Sequence, residues 1–200
     1  MALTPDLPLV PIASRDDWRR WLEANHARSR GVWVVTMKKA AVPNGATWVS
    51  PRDINEECLC FGWVDSRPGS VDEERSALLC TPRKPGSGWS RVNKERLDRL
   101  LAAGLVHASG LDAIERAKAD GSWTRLDEVD ARIVPTDLAA ALDGLPPARD
   151  NFERFPPSTR KAILEWIAQA KTGPTRARRV EETATLAQQN LRANQWPRRG

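Results

Sequence analysis

The chain changes its hydrophobic period once, near residue 90, and that change limits the fold more than any single motif. Before it, helix and strand signals alternate. Ser14 can cap a helix whose apolar positions Trp18, Trp21 and Leu22 recur at helical spacing, and Gly31 closes that element. Val32–Lys38 (VWVVTMK) is rich in β-branched residues and predicts a strand. Ala40–Thr47, with Pro43-Asn44-Gly45, predicts a loop. Ser50, Pro51 and Asp53 form a helix start: a serine cap, proline in the first position and an acidic residue in the third, with the helix predicted to run to about Cys60. Gly62–Ser66 and Ser76–Cys80 predict short strands, joined by a turn at Pro68-Gly69.

After the change the pattern is helical. Val92, Leu97, Leu100, Leu101 and Leu105 mark one apolar face, ended at Gly104. Ser109 and Asp112 open a helix that stops at Asp120-Gly121, and Pro135-Thr136-Asp137 begins a short one. Ile163, Trp166, Ile167 and Ala170 make the clearest stripe, which Gly173-Pro174 terminates. Thr175 then caps a last helix ending near Asn190. The predicted class is α+β: a mixed portion over 1–90 (a short sheet with two helices), a helical portion over 91–190 packed on it as one domain, and a basic tail over 191–200.

The net charge of +5 is local. Residues 171–200 hold seven Lys/Arg against Glu181 and Glu182, leaving 24 basic and 24 acidic side chains elsewhere. Such a tail is either a solvated surface or a contact for nucleic acid or another polyanion. No run approaches the roughly 18 apolar residues of a membrane span. The start, MALTPDLPLVPIAS, lacks the charge and uninterrupted apolar run of a signal peptide, so a cytoplasmic location is expected. Cys58, Cys60 and Cys80 lack common zinc spacing and have only His26 and His107 as imidazole partners; buried free thiols, no metal and no cofactor are expected.

The chemistry concentrates in Thr81–Lys94 (TPRKPGSGWSRVNK). Gly86 and Gly88 can let main-chain amides converge, and Ser90 stands where it would cap the next helix, aiming the amides of Arg91, Val92 and Asn93 outward. A phosphate or carboxylate there could also reach Arg83, Lys84, Ser87, Asn93 and Lys94. The spacing is not that of a Walker A loop. A well-capped helix with solvated arginines accounts for the same residues. Trp89 can stack on a ligand ring or pack in the core. Hairpin pairing of the two predicted strands would bring Asp65 toward Arg83 or Lys84, as ion pair or ligand-orienting group. Arg176 and Arg179, at the start of the last helix, oppose its dipole and need partners; Glu181 and Glu182 could serve, or the two arginines could complete an anion pocket with the first loop.

The segments CFGWVDS (60–66), TPRKPGSGWSRVNKERLDRL (81–100), GLDAIERAKADGSW (110–123) and RKAILEWIAQAKTGPTRARRV (160–180) resemble the YdeI/OmpD-associated, or bacteriocin-protection, family over roughly residues 15–185. Ser66 departs from the glycine that family members often carry after the aspartate of the GW-[IV]-D motif. The resemblance implies a small bacterial protein, intracellular in most members, whose biochemical function is unsettled. It also implies a link to bacteriocin or envelope-stress tolerance. Two functional classes follow. One is a binding protein for a phosphate-bearing or nucleic-acid ligand at the Arg83–Lys94 loop. The other is an enzyme on a small phosphorylated or carboxylated metabolite, with Asp65 as base or orienting group. His26 and His107 accompany no nucleophile motif, so triad hydrolysis is not indicated.

Overall fold

A computed structural model describes residue 3 and residues 6–194. About 50% of the chain is helical and 13% strand, and all the strand precedes Arg83, which is the expected α+β division. The basic tail expected over 191–200 falls largely on residues 195–200, outside the described ones. Among the described residues no helix is long and apolar enough to cross a membrane.

Contacts separate two compact units. The first joins the chain up to Ser87 with Val92–Gly121; the second joins Gly88–Arg91 with the chain from Ser122. The mixed portion therefore reaches past residue 90, because two helices after it belong with the sheet.

In unit 1 the sheet order is β1 (Leu9–Pro11), β2 (Val32–Met37), β4 (Arg75–Pro82), β3 (Trp63–Ser70). β1 runs parallel to β2 and the other pairs are antiparallel. Trp33 and Val35 cluster with Ala77 on one face under Leu3, Leu7, Val71 and Leu79. Val32 and Val34 alternate to the other face and are equally sealed, which is why β2 reads as an unbroken apolar run. α1 (Arg15–Asn25) and α2 (Pro51–Cys60) each open with a capping box, Ser14/Asp17 and Ser50/Asp53. α2 packs on α1, β3 and α4 (Ala108–Ala119), and every residue from Ile54 to Cys60 is buried. α4 approaches closely because Gly110 has no Cβ; one would overlap the Cys60 carbonyl. Its cap is the His107 ring, whose Nδ1 accepts from the Ser109 amide, rather than the Ser109 start predicted.

Two other boundaries differ from the predicted ones. Pro68 and Gly69 lie within β3, after an irregularity between Asp65 and Pro68, and the hairpin turns at residues 71–74. Asp72 closes that turn by accepting from the Glu74 and Arg75 amides and from the Arg75 side chain. Gly173-Pro174 does not stop the preceding helix. It forms the first turn of α9 (Gly173–Gln188), capped by Thr172 rather than Thr175.

Unit 2 contains α5 (Asp127–Asp130), α6 (Thr136–Asp143), α7 (Ala148–Arg154), α8 (Pro157–Ala168) and α9. Its core is apolar: Leu138, Leu142, Phe152, Ile163, Ile167 and Ala184 are at most 1% exposed. α3 (Arg91–Ala102) begins at the predicted place, one residue after Ser90.

Candidate functional site

The loop leaving β4 is built to receive negative charge, and the chain supplies that charge itself. Arg83 prolongs the ladder by donating its amide to the Gly62 carbonyl. Lys84–Ser87 then makes a turn, closed by the Ser87 amide on the Lys84 carbonyl, with Gly86 at φ 73°. That turn aims the Gly86 amide at Asp120 Oδ2, 3.0 Å away. In the second unit, the Arg91 amide donates to Asp130 Oδ2 at 2.6 Å. Asp130 Oδ1 accepts from Lys161 Nζ, also at 2.6 Å. Burial opposes ionisation of this carboxyl, but Lys161 and the Arg91 amide outweigh it and hold Asp130 below the usual carboxylate range. The sequence led us to expect these amides to face an incoming ligand. Those of Gly86 and Arg91 instead hold Asp120 and Asp130.

Trp89 is sealed. It is 0% exposed and packs on Trp123 at a centroid separation of 5.2 Å. Gly88 beside it lies against Leu126, which a Cβ would overlap. Of its two readings, core packing is the one the structure bears out; as placed, Trp89 cannot stack on a ligand ring.

A different set of polar groups converges within unit 1. α2 directs Asn55, which is 5% exposed, so that its Nδ2 donates to Asp65 Oδ1 at 2.6 Å and to Asn93 Oδ1 at 3.4 Å. Arg96 donates to Asn55 Oδ1 at 2.5 Å. The hairpin forms as expected, pairing Asp65 with Cys80, and brings Asp65 into electrostatic reach of Arg83. Burial pushes the Arg83 guanidinium down to about 10, against the opposing pull of Asp65; at neutral pH it stays charged. Strand, loop and two helices thus meet at one carboxylate, two amides and two guanidiniums. Lys84 and the Arg91 side chain are exposed, while Ser87, Ser90 and Lys94 are half-buried.

Arg176 and Arg179 have partners other than Glu181 and Glu182. Arg176 holds Asp137 through two hydrogen bonds, Nε to Oδ2 at 2.7 Å and Nη2 to Oδ1 at 3.0 Å, which lower the Asp137 carboxyl. Arg179 donates to the Trp166 carbonyl and lies over its ring, 4.9 Å from the centroid.

Comparison with known families divides the chain at nearly the same place as the fold. Residues 10–113 match the model of a domain of unknown function, DUF8412. The chain belongs to the DUF8412 family. Residues 131–190 match a second model, described as "Bacteriocin-protection, YdeI or OmpD-Associated", which supports the family expected from sequence. That match is narrower than the resemblance first read. It includes RKAILEWIAQAKTGPTRARRV, whereas CFGWVDS and the 81–100 loop segment fall in the DUF8412 span. No curated protein and no solved structure matches the chain.

Within the DUF8412 span, sequence reasoning missed Asn55 and Arg96. Asn55 stands on a helix that also carries Arg52, Asp53, Glu56 and Glu57, and one more polar residue there carries no signal until β3 and α3 are seen on either side. Among the described residues no group of three or more His, Cys, Asp and Glu is placed to hold a metal ion. All three cysteines are buried and unpaired; burial pushes Cys60 up to about 11 and Cys58 well above its usual value, so both are thiols at neutral pH.

Proposed function

We propose that the chain is a binding protein for a phosphate-bearing polyanion, nucleic acid included, met by the cationic side chains of residues 83–99. The observation that carries this reading is that the Gly86 amide is occupied by Asp120, while within the same unit the side chains of Lys84 and, on α3, Arg99 are exposed. A ligand approaching this segment meets side-chain cations rather than an empty amide cradle. Its affinity is then dominated by counterion release, with a slope of log K against log salt of roughly −0.9 per phosphate neutralised. We place this activity in the cytoplasm. The family description of residues 131–190 is the support for a role in bacteriocin tolerance.

One observation favours a second reading, an enzyme on a small phosphorylated or carboxylated metabolite. Asn55 orients Asp65 and Arg96 together beside Arg83, as a substrate clamp would require.

Fluorescence anisotropy with labelled single-stranded and duplex DNA across a salt series tests the first reading. The full chain is expected to bind with a slope of about −3, and the double variant Lys84→Ala, Arg99→Ala to lose about two units of that slope. Absent or salt-insensitive binding overturns it. Binding that survives the double variant but is abolished by Asp65→Asn moves the site to the Asn55 cluster.

A further inference from the structure

The second unit contains a cavity that the loop chemistry does not use. α6 and α9 pack against each other in the core of this unit, and small side chains along the edge of that contact leave a groove beside it. A cavity of about 470 Å³ remains, walled by Ala141, Leu145, Ala177, Val180 and Ala184. That volume lies in the range of small-molecule sites, roughly 300–1,000 Å³.

One end of this groove is polar, and its charge selects among ligands. Asp137 and Arg176 lie there, and the same pair lines an adjoining cavity of about 420 Å³ with Glu128 and Pro135. Arg176 is committed to Asp137 through two hydrogen bonds. Glu181 lines the first cavity and Glu128 the second, and among the described residues neither carboxylate has an ion-pair or hydrogen-bond partner. Each cavity therefore lines up two carboxylates against one guanidinium that is already paired. An organic acid would meet like charge. A neutral apolar molecule would desolvate the rim without compensating it. A molecule with an apolar body and a cationic head satisfies both surfaces.

We propose that the α6–α9 groove binds a small amphipathic amine, its apolar body on Ala141, Ala177, Val180 and Ala184 and its ammonium at Glu181. This site is independent of the loop described above. Isothermal titration of the full chain at pH 7 with 2-phenylethylamine, and with 3-phenylpropanoate as its carboxylate counterpart, tests it. The amine is expected to bind at least about tenfold tighter than the acid, since like-charge juxtaposition is penalised. Glu181→Gln, at an exposed position, should weaken the amine about fivefold and leave the acid unchanged or improved. Ala177→Trp, also exposed, fills the groove and should abolish binding of the amine. Because Glu181→Gln alters no packing, it remains decisive if the filled variant does not fold. Equal or tighter binding of the acid, no binding of the amine, or an unchanged affinity in Glu181→Gln each overturns the proposal.

Discussion

Glu57 in unit 1 and Asp130 in unit 2 are both nearly sealed carboxylates, with side chains 3% and 7% exposed, yet they are held in different ways. Glu57 sits between two guanidiniums of one helix: Arg15 Nε at 2.6 Å and Arg19 Nη1 at 2.9 Å. Those arginines are four residues apart on α1 and so share a face. Their neighbour Glu56 also takes Arg15, so α1 and α2 are joined by an ionic seam in addition to the packing of Trp18 and Leu22. Asp130 instead meets one ammonium and one main-chain amide, both within its own unit. The contrast teaches that enclosure alone does not say what a carboxylate does. In one unit it joins two helices through their side chains; in the other it ties a main-chain amide to a lysine ammonium.

Removing the first of these should have the largest effect. Glu57→Ala leaves two partly enclosed arginines facing each other across an emptied position, and such truncations cost about 3–5 kcal/mol. Arg15 keeps Glu56 and Arg19 keeps Glu23, so the expected loss is at the low end, about 3 kcal/mol. Urea denaturation measures it. A loss below about 1 kcal/mol would show that α1 is held by its tryptophan and leucine alone, and the contrast with Asp130 would collapse.

Asp130→Asn is the matched test in unit 2. The amide keeps the shape but loses the charge-assisted bonds, at an expected cost of about 1–3 kcal/mol at pH 7. The Asp130 carboxyl lies lower in the folded chain than its unfolded value of about 3.9, so its contribution is complete above that value and disappears as the pH falls below it. Wild type and variant should differ in melting temperature at pH 7 and converge as the pH falls through the lowered range of the folded carboxyl. A difference that persists in acid would mean that shape, not charge, holds the Arg91 amide.

What the sequence disclosed follows the range of the interactions. The serine caps at Ser14 and Ser50 act within one turn and are readable, as is the start of α3 after Ser90. The hairpin that brings Asp65 to Arg83 follows from two adjacent strands. The partners of the loop amides do not: Asp120 is 34 residues from Gly86, and Asp130 is 39 from Arg91. α5 spans 4 residues and α7 spans 7, too short to display a period. Pro68-Gly69 misled because a strand irregularity and a turn use the same residues, and Asp72 decided between them with its three hydrogen bonds.

Arg52 marks where the seam of unit 1 should stop mattering. It bonds Glu56 at 2.8 Å from the next turn of α2, but its side chain is 59% exposed, so water competes for the same carboxylate and salt screens it. Glu56 keeps Arg15 when Arg52 is lost. Burial opposes the charge on Glu56, and both arginines together hold it below the usual range. Arg52→Ala should therefore cost only about 0.3–0.5 kcal/mol, and less in high salt. A loss above about 1 kcal/mol that salt does not reduce would place Arg52 inside the seam with Arg15 and Arg19. The boundary between enclosed and solvated ion pairs in this unit would then lie one helical turn further out than its exposure implies.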